Sequence, residues 1–337
     1  MITKYFFPHV GGVERHVQMV CDELSRRGIK FTVLTEKFSK DLKSIDIQDK
    51  VKVVRFNYPP VKFVGIIYIW LWLIKNSYLI KETDLVHIHD VFIWYLPLRF
   101  LFPRKPVYIT FHGYPSFPLS RKAVFYQRIA ERLTKGNICV GDFIGKWFGT
   151  TPTIVTYGGI DIRKSLDSKF TLNSSKIAFV GRLSKQVGTL VFKRMVDILK
   201  ERKISLEAVA VGDGDLRNEL TNDGIKCRGF VSDPYPFIRR STFVFATGYL
   251  SILEAFSCRK LVFVAFEDPL REDYLKMTPF SKWMVISNDP EELADKVEYY
   301  IKNPKKAQKK IDAAYRWVKK QTWSKMADNY EKLWGLR

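Results

Sequence analysis

Arg182 stands just past an apolar run, Phe179-Val180-Gly181, that reads as the end of a strand, and Lys185 follows three residues later. A guanidinium there can grip a diphosphate through two parallel hydrogen bonds, with the lysine as a second cation. A second anion-seeking device lies between Thr242 and Phe266. Phe243 to Phe245 form an apolar β run, Thr247-Gly248 breaks it, Leu250 to Cys258 carries helical spacing, and Leu261 to Ala265 is again a strand. A helix that opens on a glycine turn at a strand's C-terminal end points unpaired N–H groups at whatever sits there, and favours a phosphate. Glu254, one turn inside, can accept hydrogen bonds from sugar hydroxyls. Phosphate plus hydroxyl acceptor suggests a nucleotide or nucleotide-sugar, although an ordinary βαβ crossover with a solvated Glu254 explains this stretch equally. His112, in Thr110-Phe111-His112-Gly113, falls at another strand end, where it either reaches a ligand or serves the core. His87 and His89 share one face of a strand with no third ligand evident, so they read as packing and hydrogen-bonding residues, with His89 and Asp90 as candidate liners of a site.

Alternating strands and helices must position these groups. A strand is expected at Ile2 to Phe6, then a glycine turn at Gly11-Gly12 and a helix from Val13 to Arg27 stopped by Gly28. Strands follow at 30–35, 51–56, 84–89, 107–111, 137–140 and 153–157, with a helix at 121–135. The pattern lapses into a polar, turn-rich stretch at 158–175 that suits a linker, then restarts with a strand at 176–180 and a helix at 187–202. A strand at 207–211 ends in Gly212-Asp213-Gly214; short elements at 227–230 and 236–240, a strand at 284–286 and helices from Pro290, Pro304 and Trp323 complete the chain. Such alternation implies mostly parallel sheets covered on both faces, with ligands at the carboxyl ends of the strands.

At 337 residues the chain is long enough for two domains, and 46% hydrophobic with 15% aromatic residues supplies two cores. The net charge of +21 calls for an acidic partner: phosphorylated substrates, an anionic membrane surface or nucleic acid. Nucleic acid is set aside, since no reading helix or aromatic RNP-like run is present. Cys21, Cys139, Cys227 and Cys258 are far apart and lack CxxC or Cys/His pairing, which argues against zinc and a disulfide framework and for a reducing compartment. The first residues show no signal-peptide pattern. Residues 63–74, FVGIIYIWLWLI, are too short to span a bilayer, which takes ~20 residues. Bounded by Lys62 and Lys75, they form either an interfacial membrane helix or a helix buried between sheet and neighbour.

Taken in order, PHVGGVERH (8–16), DLVHIHD (84–90), TFHG (110–113), VTYGGIDI (155–162), IAFVGRL (177–183), AVGDGDL (210–216), CRGFVSD (227–233), GYLSILEAF (248–256) and WSKMADNY (323–330) resemble the family-4 retaining glycosyltransferases. The resemblance covers nearly the whole chain. It implies the GT-B fold: two facing Rossmann-like α/β domains with an inter-domain cleft. Residues 1–157, with a C-terminal helix at about 323–337, would bind the acceptor, and 158–322 the nucleotide-sugar. It further implies that Gly11 and Gly12 approach the donor diphosphate, that His112 lies beside the reacting sugar with His89 and Asp90 on the acceptor side, and that Arg182 holds the diphosphate with Lys185 nearby. Amides around Tyr249, Leu250 and Ser251 would cap the phosphates, Glu254 would bind ribose, and Gly212, Gly229 and Phe230 would border the base. Catalysis would rest on His112 and Arg182, with neither metal nor cofactor.

Two departures stand out. The family usually has a glutamate eight residues before the Glu254 position, where this chain has Ala246, and a lysine five residues after the arginine, where it has Val187. The expected activity is metal-independent, retaining transfer from a UDP- or GDP-sugar to a lipid-linked or other membrane-associated glycan, at the cytoplasmic face of a membrane. The departures motivate a rival, a catalytically silent GT-B partner in a glycan-assembly complex.

Overall fold

A computed structural model describes residues 1–48, 50–59, 64–113, 116–162 and 176–336. The chain divides into two compact units, Met1–Thr156 with Trp323–Arg337, and Tyr157–Thr322.

The first unit runs through α1 (Gly12–Arg26), β1 (Phe31–Glu36), β2 (Ile45–Gln48), β3 (Val51–Phe56), α2 (Val64–Lys75), α3 (Tyr78–Lys81), β4 (Val86–His89), α4 (Phe92–Leu101), β5 (Val107–Phe111), α5 (Arg121–Arg132), β6 (Gly136–Val140), α6 (Phe143–Phe148) and β7 (Ile154–Thr156). Two ladders, β2-β3-β1 and β4-β5-β6-β7, are stitched together by Ile2, which bridges Leu34 on one side and Ile88 on the other. All pairs are parallel except the edge pair β2–β3. Every residue of β4, β5 and β6 is buried, as a parallel sheet covered on both faces requires. The strand expected over Ile2 to Phe6 thus shrinks to one two-sided rung at Ile2. A turn closed by His9 N–H on the Phe6 carbonyl takes the chain out of the sheet, and Pro8 has no N–H to pair.

The second unit contains β8 (Lys176–Val180), α7 (Thr189–Glu201), β9 (Glu207–Val211), α8 (Arg217–Asn222), β10 (Lys226–Cys227), α9 (Tyr235–Arg240), β11 (Phe243–Ala246), α10 (Tyr249–Ser257), β12 (Leu261–Val264), α11 (Pro269–Lys276), β13 (Val285–Ile286), α12 (Pro290–Lys302) and α13 (Pro304–Val318). Its all-parallel sheet has the order β10-β9-β8-β11-β12-β13. Counted from β8 this is the doubly wound order 3-2-1-4-5-6, whose switch point falls between β8 and β11. The core stacks Phe179, Phe192 and Phe245 with Phe243 and Phe263 beside them, so the aromatic strand residues fill the space between sheet and helices.

α14 (Trp323–Trp334) belongs to the first unit, where it packs on α1. Arg27 fastens it, donating to Asp328 at 2.7 Å and Glu331 at 2.6 Å. Most of the turn-rich stretch expected at 158–175 lies outside the described residues, as does Phe63. The apolar helix matches neither of its two sequence readings in full. Gly65, Ile69 and Leu73 are buried, while Val64, Ile67, Leu71 and Ile74 are exposed along the opposite side. Among the described residues no helix is long and apolar enough to cross a membrane.

Candidate functional site

In the second unit, three strand ends meet at the switch point. The Gly181 N–H donates to the Val211 carbonyl, and the Thr247 N–H to the Val180 carbonyl. Gly181 (φ 139°) and Gly212 (φ 142°) occupy backbone regions that side chains rarely adopt. A Cβ on Gly181 would sit 1.7 Å from Thr247 Oγ1, and one on Gly212 1.8 Å from the Gly181 carbonyl oxygen. Only glycine lets these backbones close into one floor. Gly229 joins it, accepting from the Gly212 N–H at 2.9 Å. Phe230 beside it is 59% exposed, an unburied ring that could stack on a base.

α10 opens on this floor, and its first amides can be accounted for one by one. Ser251 Oγ accepts from the Gly248 N–H at 3.1 Å. The Tyr249 N–H donates to Tyr274 Oη at 3.0 Å, and the Tyr249 hydroxyl to the Tyr274 carbonyl at 2.6 Å, the two rings stacked 4.1 Å apart. Tyr249 is therefore spent internally, a correction to its expected place among the donor contacts. The Ile252 N–H makes the first intrahelical bond, to Gly248. The amides of Leu250 and Ser251 remain, with no acceptor among the described residues. Glu254 is buried on the same helix, one turn beyond Leu250 and hence on the same side.

Arg182 is exposed beside Gly181 and makes no hydrogen bond or ion pair among the described residues. Lys185 lies in a short 3₁₀ turn, close enough to Glu267 for its charge to draw that carboxyl down against the stronger upward push of burial. Val187 packs against the core and Ala246 is fully buried, so neither position offers a polar contact. A cation absent from the sequence reading stands here instead. Arg271 is only 4% exposed, donates to the Thr247 carbonyl, and lies 4.4 Å from the Tyr274 ring centroid, with no carboxylate partner and no acceptor for its buried Nε among the described residues. A buried guanidinium beside the opening of α10 adds positive potential there. Its one sequence signal is a Pro-Leu-Arg opening a helix after a strand, which is common and carries no hint of burial.

In the first unit the strand ends carry the histidines. His89 Nδ1 meets His112 Nε2 at 2.9 Å, and Asp90 Oδ1 accepts from the His112 N–H at 2.8 Å, so His89, Asp90 and His112 form one group. His89 Nε2 is buried without a partner. An orphaned N–H is rarer than an orphaned acceptor, which places the His89 proton on Nδ1, donating to His112, and leaves His112 with Nδ1–H to give to a ligand. Behind them runs a buried chain of hydrogen bonds. The Trp334 indole donates to His87 Nδ1 at 3.0 Å, so His87 carries its proton on Nε2, 2.8 Å from Thr110 Oγ1; Thr110 then donates to Tyr330 Oη at 3.0 Å, and Tyr330 to His16 Nε2 at 2.9 Å. Burial holds His16 down at about 4 and His87, His89 and His112 well below the usual histidine range, so all are neutral at pH 7. Among the described residues no group of three or more His, Cys, Asp or Glu is arranged to hold a metal.

Gly11 and Gly12 lie at the mouth of α1, in extended backbone rather than a left-handed turn at Gly11. The Glu14 carboxylate rests on Gly11, 3.0 Å from His9 Nδ1, so the chain already places an anion beside these amides, while the space a Gly12 Cβ would take is open.

Asp90 has φ 62°, a left-handed conformation that aspartate and asparagine tolerate. The low-dielectric wall behind it pushes its carboxyl up to about 7, against the His112 N–H that draws it down, and the residue's exposure to water moderates the shift. A carboxyl raised in the folded state binds its proton more tightly there than in the unfolded chain, so its contribution to stability is lost as pH rises through about 7. Asp90→Asn should therefore raise Tm at pH 8 and leave it nearly unchanged at pH 4; equal Tm for the two proteins at pH 8 would count against the raised carboxyl.

The model "Glycosyltransferase Family 4" matches residues 10–164, and "Glycosyl transferases group 1" matches 162–317. An uncharacterized glycosyltransferase of Methanocaldococcus jannaschii is 23% identical, over 98% of this chain and 96% of the relative. The fold is similar to that of Anabaena HepE, solved with UDP and glucose (TM-score 0.75, 16% identity, 100% of this chain and 99% of that one). It is also similar to WaaG, described as a glycosyltransferase involved in lipopolysaccharide biosynthesis (TM-score 0.67, 11% identity, 98% and 97%). With the two family models matched in turn along the chain and the fold similar to that of solved glycosyltransferases, the chain belongs to the family-4 glycosyltransferases of GT-B fold.

Proposed function

We propose that the protein moves a sugar from a nucleotide-sugar, a UDP- or GDP-sugar, to an acceptor bound by its first unit, with retention of configuration and without a metal or cofactor. The observation that carries this is the group of open donors at the second unit's switch point: the amides of Leu250 and Ser251, the unpaired Arg182 and the buried Arg271. These supply the positive potential that a departing diphosphate needs, which a metal would otherwise provide. Phe230 with Gly212 and Gly229 suits the base and Glu254 the ribose. In the transfer, the sugar C1–O bond to the diphosphate breaks while the acceptor oxygen bonds C1 on the same face. The acceptor's proton passes to the departing phosphate oxygen, and His112 Nδ1–H steadies the reacting sugar.

The acceptor is a lipid-linked or other membrane-associated glycan, met at the cytoplasmic face of the membrane. Supporting this are the exposed apolar stripe of α2 and α3 (Val64, Ile67, Leu71, Ile74, Tyr78), with Lys75 and Lys81 beside it, and the net charge of +21. The lipopolysaccharide enzyme of similar fold supports the same reading.

The test is incubation of the full chain with UDP- and GDP-sugars and a lipid extract, with and without EDTA, reading product anomers by NMR. EDTA-resistant transfer with retained configuration is expected. Inverted product or EDTA-abolished transfer would overturn the mechanism, and failure to bind any nucleotide would return the protein to the role of a silent partner.

A further inference from the structure

Beside Asp90 and His112 opens a cavity of about 760 Å³, built wholly from the first unit. Its walls come from five helices. Ile66 of α2, Ile93 and Trp94 of α4, Ala123 of α5 and Phe148 of α6 face it, with α1 contributing Val13. Polar groups are few. Asp90 and His112 sit together, Tyr58 and Tyr126 add hydroxyls, and the Gln127 amide N–H already donates to Thr150 at 2.9 Å. The volume lies within the ~300–1,000 Å³ of small-molecule pockets, and its lining would gain by exchanging water for hydrocarbon.

We propose that this chamber holds the hydrocarbon part of an amphiphilic acceptor, whose hydroxyl is thereby brought to Asp90 and His112. The proposal rests on the glycosyltransferase reading but concerns the first unit alone. Two further observations favour hydrocarbon over a sugar as the occupant. A glycan pocket needs hydrogen-bonding groups all along its walls, and here the lining is mostly apolar, its polar groups being Asp90, His112, Gln127 and the hydroxyls of Tyr58 and Tyr126. And α2 is apolar on every side: Gly65, Ile69 and Leu73 enter the core, Ile66 faces the chamber, and Val64, Ile67, Leu71 and Ile74 face outward. A helix apolar all round is ordinarily buried all round. One that separates an apolar chamber from an apolar outer stripe suits the passage of a chain out of a bilayer.

The experiment is calorimetry of the full chain with alkyl glucosides from methyl to decyl, each below its micellar concentration, and with UDP as an independent ligand of the second unit. Affinity should rise about threefold to fourfold per methylene until the chamber is full. Ala123→Trp, at a partly exposed wall position, should flatten that series while leaving UDP affinity unchanged. A flat series in the unaltered protein, or an undiminished one in the variant, overturns the chamber even if UDP still binds; loss of UDP binding alone would instead count against the enzyme reading. As a check that needs no substitution, an octyl glucoside bearing a terminal diazirine should label peptides containing 92–94 or 123–127. Labelling confined to the outer stripe at 67–78 would overturn the proposal.

Discussion

Arg182→Ala should lower kcat/KM for sugar transfer by roughly 10²–10³-fold, the scale of removing one preorganised charge at a developing anion, without changing Tm. Arg182 is exposed and has no partner among the described residues, so its removal leaves no cavity and orphans none of them. A large kinetic loss with an unaltered melt would therefore be specific to the ligand. Arg182→Lys should recover about tenfold of the loss, because an ammonium restores charge but not the planar two-pronged grip. Initial rates at saturating and limiting donor, set beside thermal melts, decide the matter; an Arg182→Ala protein with unchanged rates would remove the residue from the site. Arg271 cannot give so clean a result, because the Thr247 carbonyl and the Tyr274 ring both lose a partner with it.

Lowering the pH from 7 to 5 should unfold the first unit while the second stays intact. All five histidines lie in the first unit, and burial depresses His16, His87 and His89. In the unfolded chain each takes up a proton at ~6.5; in the folded chain His16 does so only at about 4, and burial holds His87 and His89 well below the ordinary histidine range. Below the unfolded value the unfolded state binds more protons, so stability falls as pH falls, by at most about 1.4 kcal/mol per pH unit for each group. Several such groups acting together remove a large fraction of a typical domain stability of about 5–15 kcal/mol. Asp90, raised to about 7, works in the opposite direction across this window, but it is a single group against three. Hydrogen exchange followed by mass spectrometry through the titration reads both units at once. Simultaneous loss of protection in the two, or full protection of the first at pH 5, would refute the histidine account.

The doubly wound second unit was legible because its strands are short, uninterrupted apolar runs closed by glycine turns. Gly181, Gly212 and Thr247-Gly248 mark the strand ends that the structure packs together. The first unit hid more. α4, Phe-Ile-Trp-Tyr-Leu-Pro-Leu-Arg-Phe-Leu, has no polar face to set a period and carries Pro97 inside, so it gave no helical signal although it walls the chamber. β2 escaped because it is an exposed antiparallel edge of four residues. Of the site, Leu250, Ser251 and His112 could be placed from turn and helix chemistry. That Tyr249 spends its amide on Tyr274, or that Arg271 folds back beneath Thr247, depends on pairings across 25 and 24 residues that no local pattern records.

The chain of hydrogen bonds that ends on His16 begins with an indole, a group that can give a proton but never receive one. Polarity is thereby dictated from one terminus, as a ratchet is set by its pawl, and every hydroxyl and imidazole along it inherits a single sense. A ring lacking that N–H at Trp334 would fit the same space yet restore the choice, and two proton arrangements would then compete behind the strand ends that hold His89 and His112. The last helix is thus a source of order for chemistry it never touches.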